Sequence, residues 1–210
     1  TVVRNTTGTF FNSSMILVSA DANVARITYL TVGGNPLLLD EPQRTNINTN
    51  HLLQDWASQL TRTINFGISP DGTQNTTRLV NSVGTNRGIS KAFLLTSGVT
   101  YSFSFYVKLI SGDITNQLGR CFVFPQSPSV IIDFSDATNV FRRYSNTFVA
   151  STSGNVTFQL RTDAISDIEV YGFQIEAGSN SSSLIPTLGS AVTRNEDVIT
   201  VAPPLGTVKI

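Results

Sequence analysis

An alternation of apolar and polar side chains in the middle of the chain limits the possible folds more than any other feature. One side of an extended segment there carries large apolar residues, namely Tyr101, Phe103, Phe105, Val107 and Leu109. The opposite side carries Ser102, Ser104, Tyr106, Lys108 and Ile110. A period of two is typical of a β-strand with one buried face. The segment therefore predicts a long strand that lies against a hydrophobic core.

Other segments with strand-like patterns, separated by turn residues, extend this prediction to the whole fold. Alternation recurs over residues 155–161, and residues 130–134 and 168–175 are rich in β-branched and aromatic side chains. The Ser-Gly-Asn sequence at residues 153–155 predicts a hairpin. Many short strands with regular turns are typical of sandwiches and barrels. We expect an all-β fold, an antiparallel β-sandwich of the jelly-roll type.

The same patterns divide the chain into three parts. Residues 1–40 are apolar and broken by turns, and we interpret them as an N-terminal extended arm or small subdomain that packs on the sandwich or on a neighbour. Residues 41–200 hold the sandwich, and residues 201–210, with two prolines, form a C-terminal tail. Residues 52–60 have helix-like spacing of apolar side chains, but the stretch is short and equally fits a loop anchored by Trp56.

Composition excludes two classes of partner. A chain of 210 residues can bury one substantial core. Only 13% of its residues are charged, against roughly a quarter in typical domains, and the formal net charge is zero. Lysine occurs only at Lys91, Lys108 and Lys209, so the sequence has neither the basic footprint of a nucleic-acid-binding protein nor a polybasic stripe for an anionic membrane.

Groups for acid–base and metal chemistry are scarce, which argues against an enzyme. The only histidine, His51, lies in a polar stretch and is interpreted as an exposed loop residue. The only cysteine, Cys121, lies in an apolar run and is interpreted as buried. One histidine and one cysteine far apart do not make a zinc site. Four aspartates are weak candidates for a structural Ca²⁺ site, without supporting spacing: Asp71, Asp133, Asp136 and Asp197.

The closing part of the chain carries a long set of residues at fixed spacings. The pattern runs G-x-Q-x-E-A-G-S over residues 172–179, followed by I-P-T-x-G-S-x-V-T-R-x-x-D-V over residues 185–198. Near the start, Arg4 and Arg26 flank an aromatic-Asn turn, and residues 41–46 read E-x-x-R-T-N. This combination resembles a β-sandwich module of bacteriophage virion proteins, chiefly tail fibres and related surface appendages.

The resemblance implies a role on a virus particle. It implies a non-enzymatic structural protein on the virion surface, as a capsid decoration, head fibre, tail-fibre or collar component. Such a protein would assemble in the host cytoplasm, contact other capsid or tail proteins, and occupy symmetric sites as a homo-oligomer, most naturally a homotrimer. Two alternatives remain open, a module that binds a host-surface glycan and an enzyme that degrades one.

Four residues are candidates for contact with a glycan. Tyr106 lies on the polar side of its strand and is expected to point away from the core, where it could stack on a sugar ring. Trp56 is a second aromatic candidate, although a plug over one end of the sandwich fits it better. Gln174 and Glu176 share a strand face and could hydrogen-bond a sugar; alternatively, Glu176 pairs with an arginine or caps the turn at Gly178.

Apolar residues in the first 40 positions are candidates for an oligomer interface. The alternative is that they complete the core of their own chain. The candidates are Phe10, Phe11, Ile16, Leu17, Leu37, Leu38 and Leu39.

Overall fold

The computed structural model describes residues 1–200, and every regular element within them is a β-strand. In chain order the strands are β1 (Val2–Val3), β2 (Gly8–Phe11), β3 (Leu17–Ala20), β4 (Ile27–Thr28), β5 (Leu37–Leu38), β6 (Arg44–Asn46), β7 (Ala57–Ser58), β8 (Thr61–Thr63), β9 (Thr77–Asn81), β10 (Arg87–Leu95), β11 (Thr100–Gly112), β12 (Gly119–Phe124), β13 (Val130–Asp133), β14 (Arg142–Val149), β15 (Gly154–Thr162), β16 (Ser166–Ala177), β17 (Val192–Arg194) and β18 (Val198–Ile199). Within this part of the chain, no helix is long and apolar enough to span a membrane.

Ten strands form two five-stranded antiparallel sheets. The open sheet has the order β13-β12-β15-β10-β7, and the covered sheet has the order β14-β11-β16-β9-β8. From β9 to β16 the chain passes repeatedly from one sheet to the other, as in a jelly roll. The predicted antiparallel β-sandwich is therefore confirmed. The predicted hairpin at residues 153–155 is wrong, because β14 pairs with β11 in the covered sheet whereas β15 pairs with β10 and β12 in the open sheet.

The core between the sheets is dominated by aromatic side chains. Phe173 is fully buried, and its ring centroid lies 4.6 Å from Trp56, 5.9 Å from Phe105 and 6.1 Å from Phe93. Offset and edge-on aromatic pairs at such distances add about 0.5–1.5 kcal/mol each to the burial of their apolar surface. The predicted inward face of β11 lies in this core, since the residues that were assigned to it up to Val107 are buried in the same cluster.

The central strands of the covered sheet, β11 and β16, are buried on both faces. The remaining strands form four short pairs, β1–β18, β2–β3, β4–β5 and β6–β17, from the two ends of the chain. We call residues 1–46 and 181–199 the covering layer. Leu17 and Leu184 of this layer pack with Tyr106 and Tyr171 on the outer face of the covered sheet. The predicted N-terminal arm thus lies against the sandwich of its own chain, and the predicted tail lies outside the described residues.

Residues 52–60, which have helix-like spacing, contain no helix. Leu53 has a positive φ of 59°, and a turn hydrogen bond joins Trp56 N to Leu53 O at 3.4 Å. A left-handed residue interrupts a right-handed helix. The segment is therefore a loop whose indole side chain is anchored in the core.

Candidate functional site

The aromatic residues that were predicted to meet a glycan are buried. Tyr106 is only 4% exposed, so the exposed ring that was expected to stack on a sugar is absent. Its ring does leave the core side of β11, but the covering layer lies over it, with Phe11 at 6.5 Å between ring centroids. Trp56 is buried in the core against Phe93 and Phe173. In this structure neither ring offers a surface on which a sugar could stack.

Gln174 and Glu176 also lie in the interior, where they hold the covering layer in place. Gln174 donates to Glu176 Oε1 at 2.9 Å, and its own Oε1 accepts from Ile185 N at 2.6 Å. Glu176 accepts from both the backbone N and the hydroxyl of Ser182, at 2.6 and 2.7 Å. Both side chains are fully buried. They satisfy backbone groups that would otherwise be desolvated without partners, and neither is exposed to a ligand.

Five charged residues of the fixed-spacing sequence pattern meet in one buried network. We call this network, formed by Arg4, Arg26, Glu41, Arg194 and Asp197, the arginine clamp. Asp197 accepts from Arg4 at 2.8 Å and also from Arg26. Glu41 accepts from Arg26 at 2.6 Å and from Arg194 at 2.8 Å. The clamp joins the first 41 residues to the last strands of the covering layer.

The clamp predicts that stability is lost in acid. Burial alone would raise the pKa of Asp197, but hydrogen bonds from Arg26 and Arg4 outweigh it and hold that pKa below the ordinary 3.8. Glu41 follows the same rule, with Arg194, Ser183 and Arg26 holding its pKa below 4.5. Groups with depressed native pKa values contribute stability above their unfolded pKa and lose it as pH falls through the native one. We expect the free energy of unfolding, measured with urea, to be flat near neutrality and to fall below about pH 4.

That measurement has a matched control. In an Asp197→Asn, Glu41→Gln double variant the acid-dependent contribution of both carboxylates is absent. The fall in stability below about pH 4 should therefore be shallower than in the native chain. An equal slope in both proteins would show that other carboxylates control acid unfolding.

The predicted interface residues divide into two groups. Leu17 is buried, and Phe11 packs beside it on the same cluster, so both contribute to the core of their own chain. Phe10 is half-buried. Leu37 and Leu38 are 45% and 49% exposed, and Ile16 is 39% exposed. Assembly of this chain into an oligomer stays a prediction.

The polar candidates for metal or acid–base chemistry do not meet in one site, although Asp133 and Asp136 line a common cavity. Asp197 belongs to the arginine clamp, while Asp71 accepts from Thr73, Asn75 and the Tyr171 hydroxyl. Residues 1–200 contain no group of three or more His, Cys, Asp or Glu side chains suited to a metal. His51 is buried, not exposed, because its Nδ1 lies 2.8 Å from Thr187 O and its ring packs against Tyr171.

The outer face of the open sheet is the large strand surface that the covering layer leaves uncovered. Along β15 its side chains alternate between buried and partly exposed positions. Phe122 and Phe124 of β12 lie on this outer face, opposite Gln159 and Thr157 of β15. The guanidinium of Arg161 lies 4.1 Å from the ring centroid of Phe122 and covers it. Phe124 is 43% exposed, so its ring is accessible to a ligand.

A cleft opens beside Phe124 at one end of the sandwich. It consists of two adjoining cavities of about 330 and 640 Å³ that share the loop from Ser127 to Ile131. Their walls are formed by residues 122–131 and 146–152, none of which is charged. Ser, Thr, Asn and Gln side chains alternate there with Phe, Val and Ile. We call this feature the β12–β13 cleft.

One amide in the β12–β13 cleft lacks a partner. Gln126 Oε1 accepts from the backbone N of Ser151 at 2.8 Å and from its hydroxyl at 3.1 Å. These bonds fix the amide orientation, yet Gln126 Nε2 is buried without a hydrogen-bond partner. Unsatisfied buried donors are rare in folded proteins and call for an explanation. An oxygen atom of a ligand in the cleft would supply the missing acceptor.

Sequence reasoning did not select the residues of this cleft, although one signal was present. Cys121 and Val123 alternate with Phe122 and Phe124, so a strand here has apolar side chains on both faces. In a sandwich of two sheets, only one face of each strand packs in the core between the sheets. Phe122 and Phe124 were therefore candidates for an exposed aromatic surface. Gln126 carries no comparable signal, because its fixed orientation depends on a distant serine.

Comparisons with known proteins find similarity in structure only. No family model and no curated protein matches the sequence. A Paenibacillus barcinonensis Xyn10C domain, described as a CBM22-1 xylan-binding domain, is 12% identical over 65% of this chain and 94% of its own, with a TM-score of 0.46. The CBM22-1–GH10 part of Clostridium thermocellum xylanase 10B is 19% identical, with a TM-score of 0.45.

The second of these matches covers 64% of this chain and only 28% of the xylanase chain. The enzymatically active domain of tailspike protein 4 from bacteriophage CBA120 is 13% identical over 62% of this chain and 21% of its own, with a TM-score of 0.38. All three TM-scores lie below 0.5, so we assign no ligand from them.

Proposed function

We propose that this protein is a non-catalytic binding module that holds a neutral glycan in the β12–β13 cleft. The observation that carries the proposal is the pairing of an exposed aromatic ring, Phe124, with the fixed and unpartnered amide of Gln126. Sugars have apolar ring faces that stack on aromatic side chains and hydroxyl groups that take up hydrogen bonds. A cleft with both features suits a saccharide better than a purely apolar ligand.

The walls of the cleft also support a neutral ligand and a role without catalysis. Residues 122–131 and 146–152 include no acidic or basic side chain. The nearest arginines on the open sheet, Arg120 and Arg161, both pair with Asp163. Glycosidases use a pair of carboxyl groups on either side of the bond that is cleaved, and no such pair lines this cleft. A saccharide held here would be bound, not cleaved.

Phe124→Ala should weaken binding of the glycan about tenfold, equivalent to about 1.4 kcal/mol. The reason is the loss of the aromatic surface on which the sugar ring stacks. A screen on an array of neutral oligosaccharides would identify a ligand, and isothermal titration calorimetry would then compare the two proteins. Phe66→Ala is the matched control, because Phe66 is a phenylalanine of similar exposure, 37%, outside the cleft.

Gln126→Glu tests the hydrogen bond separately from the stacking. Glutamate keeps an oxygen that can accept from Ser151 but replaces the amide donor with a second acceptor. We expect weaker binding, and the melting temperature shows that the variant is folded under the conditions of the titration. Native affinity in both Phe124→Ala and Gln126→Glu, or an absence of array binding by the folded native protein, would overturn the proposal.

A second function is supported by the surface of the covering layer. Leu30 and Val32 are 71% and 75% exposed and lie close in sequence to the exposed Leu37 and Leu38. Large apolar side chains exposed on one layer of a protein can mark contacts between proteins. Together with the resemblance to phage appendages, they support a homo-oligomeric component of a virion surface, in which the cleft would meet a host glycan. Antibody labelling of virions in the electron microscope tests this location. An antibody that binds the purified protein but does not label virions would exclude it.

A further inference from the structure

A separate cavity lies in the covering layer, on the far side of the covered sheet from the open sheet. It has a volume of about 370 Å³ and lies between residues 6–9 and 19 of the N-terminal segment and residues 184–186 and 192–194 of the closing segment. Ligand pockets range from about 300 to 1,000 Å³. The cavity is therefore of a size for one small ligand, and we call it the Arg194 cavity.

The guanidinium of Arg194 has unused donors at this cavity. The side chain is only 1% exposed. Nη1 donates to Ser183 and Glu41, while Nη2 donates once, to Pro42 O at 3.1 Å, and Nε has no partner. Nε and Nη2 together form the side edge of the guanidinium. That edge keeps one donor on each nitrogen, which is the arrangement that binds a carboxylate through two parallel hydrogen bonds.

The charges in direct contact favour an anion. The arginine clamp contains three guanidinium groups and two carboxylates in hydrogen-bonded contact, which leaves one positive charge. Glu176 is the next carboxylate that affects Arg194, but it forms its hydrogen bonds with Gln174 and Ser182 instead. Burial and the neighbouring Arg26 lower the pKa of Arg194, although the carboxylates oppose this. A bound anion would compensate the one positive charge that remains in the clamp.

Besides Arg194 and the apolar residues Leu184, Ile185, Pro186 and Val192, five hydroxyl groups line the cavity. They belong to Thr6, Thr7, Thr9, Ser19 and Thr193. Thr9 Oγ1 donates to Leu184 O at 2.5 Å, so its lone pairs are available to accept. Thr7 and Ser19 are exposed and lie at the rim. Hydroxyl groups and apolar side chains beside one guanidinium match a small molecule that carries hydroxyl groups, an apolar ring face and a single carboxylate.

We propose that the Arg194 cavity binds one monosaccharide unit that carries a carboxylate, with the carboxylate on the Nε–Nη2 edge of Arg194. This site is independent of the β12–β13 cleft, which has uncharged walls and lies on the open sheet. The protein therefore has a second sugar site that selects for negative charge, and its ligand differs from that of the cleft.

The test is calorimetric titration of the full chain with sodium glucuronate and with glucose at equal ionic strength. We expect glucuronate to bind at least tenfold more tightly than glucose and to raise the melting temperature, since a ligand that binds only the folded state stabilises it. Substitution of Arg194 would also disrupt the arginine clamp. Ser19→Trp instead obstructs the rim at an exposed strand position outside the clamp, and it should abolish glucuronate binding. Thr63→Trp, on the exposed strand β8, is the matched control and should bind normally.

Two results would overturn this inference: equal affinity for glucuronate and glucose, or glucuronate binding that persists in Ser19→Trp. Phe124→Ala should retain full glucuronate affinity, because its substitution lies in the cleft. If glucuronate does not bind while neutral glycans still do, only the proposal of a sugar site in the Arg194 cavity is refuted. Loss of neutral glycan binding with glucuronate binding intact would refute the cleft alone.

Discussion

Asp197→Ala should lower the free energy of unfolding by about 3–5 kcal/mol, the cost of removing one partner from a buried ion pair. Both carboxylate oxygens of Asp197 are engaged, one by Arg4 and the other by Arg26. Their removal leaves two guanidinium groups buried with an incomplete set of partners. The charges cannot be neutralised by deprotonation, because arginine stays protonated in proteins. The covering layer should therefore detach or take up water around the clamp.

Urea titration followed by Trp56 fluorescence measures this loss, because the only tryptophan of the chain lies in the core of the sandwich. Glu196→Ala is the control: it removes an exposed acid one position away and should change stability by less than about 0.5 kcal/mol. A loss below about 1 kcal/mol for Asp197→Ala would mean that solvent reaches the clamp and screens it. Exposure of a protease site in residues 1–40 before the core unfolds would show that the layer detaches first.

The clamp gives a physical meaning to the sequence pattern that resembles phage proteins. The clamp residues come from the two ends of the chain, positions 4–41 and 194–197, yet each contacts at least one other member of the set. A pattern of this kind specifies how the ends of the chain lie over the sheet. The pattern therefore accounts for how the covering layer is held against the covered sheet. The candidate ligand sites are formed by other residues.

Periodicity predicted the strands because a period of two is a local property of the chain. β15 buries the apolar residues that alternation assigned to the core, and β11 does so up to Val107. The sheet to which each strand belongs depends on distant pairing, which is why the Ser-Gly-Asn turn at residues 153–155 was misread as a hairpin. Turn residues determine that the chain reverses. They do not determine whether the next strand pairs with the last one or crosses to the other sheet.

The exposure of a strand's second face is equally non-local. Ser102, Ser104 and Tyr106 form a polar face by sequence, and a sandwich of two sheets would leave such a face in solvent. Here the two ends of the chain add a third layer over it. Since the contacts that hold this layer span more than 100 positions, no window around Tyr106 could reveal them. Phe124, by contrast, stays exposed because no segment within residues 1–200 covers its side of the open sheet.

Tyr106→Ala should lower the free energy of unfolding by about 3 kcal/mol, in the range of large-to-small substitutions in a core, and should leave glycan affinity unchanged. The ring fills the space between Phe11 of the covering layer and Tyr171 of β16, at centroid distances of 6.5 and 6.0 Å. Its removal leaves a cavity at the seam between layer and sheet. Tyr29→Ala, a half-buried tyrosine of the same layer, is the control and should cost less. Thermal unfolding and calorimetric titration on the same samples separate the effect on stability from the effect on glycan affinity. A stable Tyr106→Ala protein that no longer binds glycan would place the binding site at Tyr106 and contradict the proposal for the β12–β13 cleft.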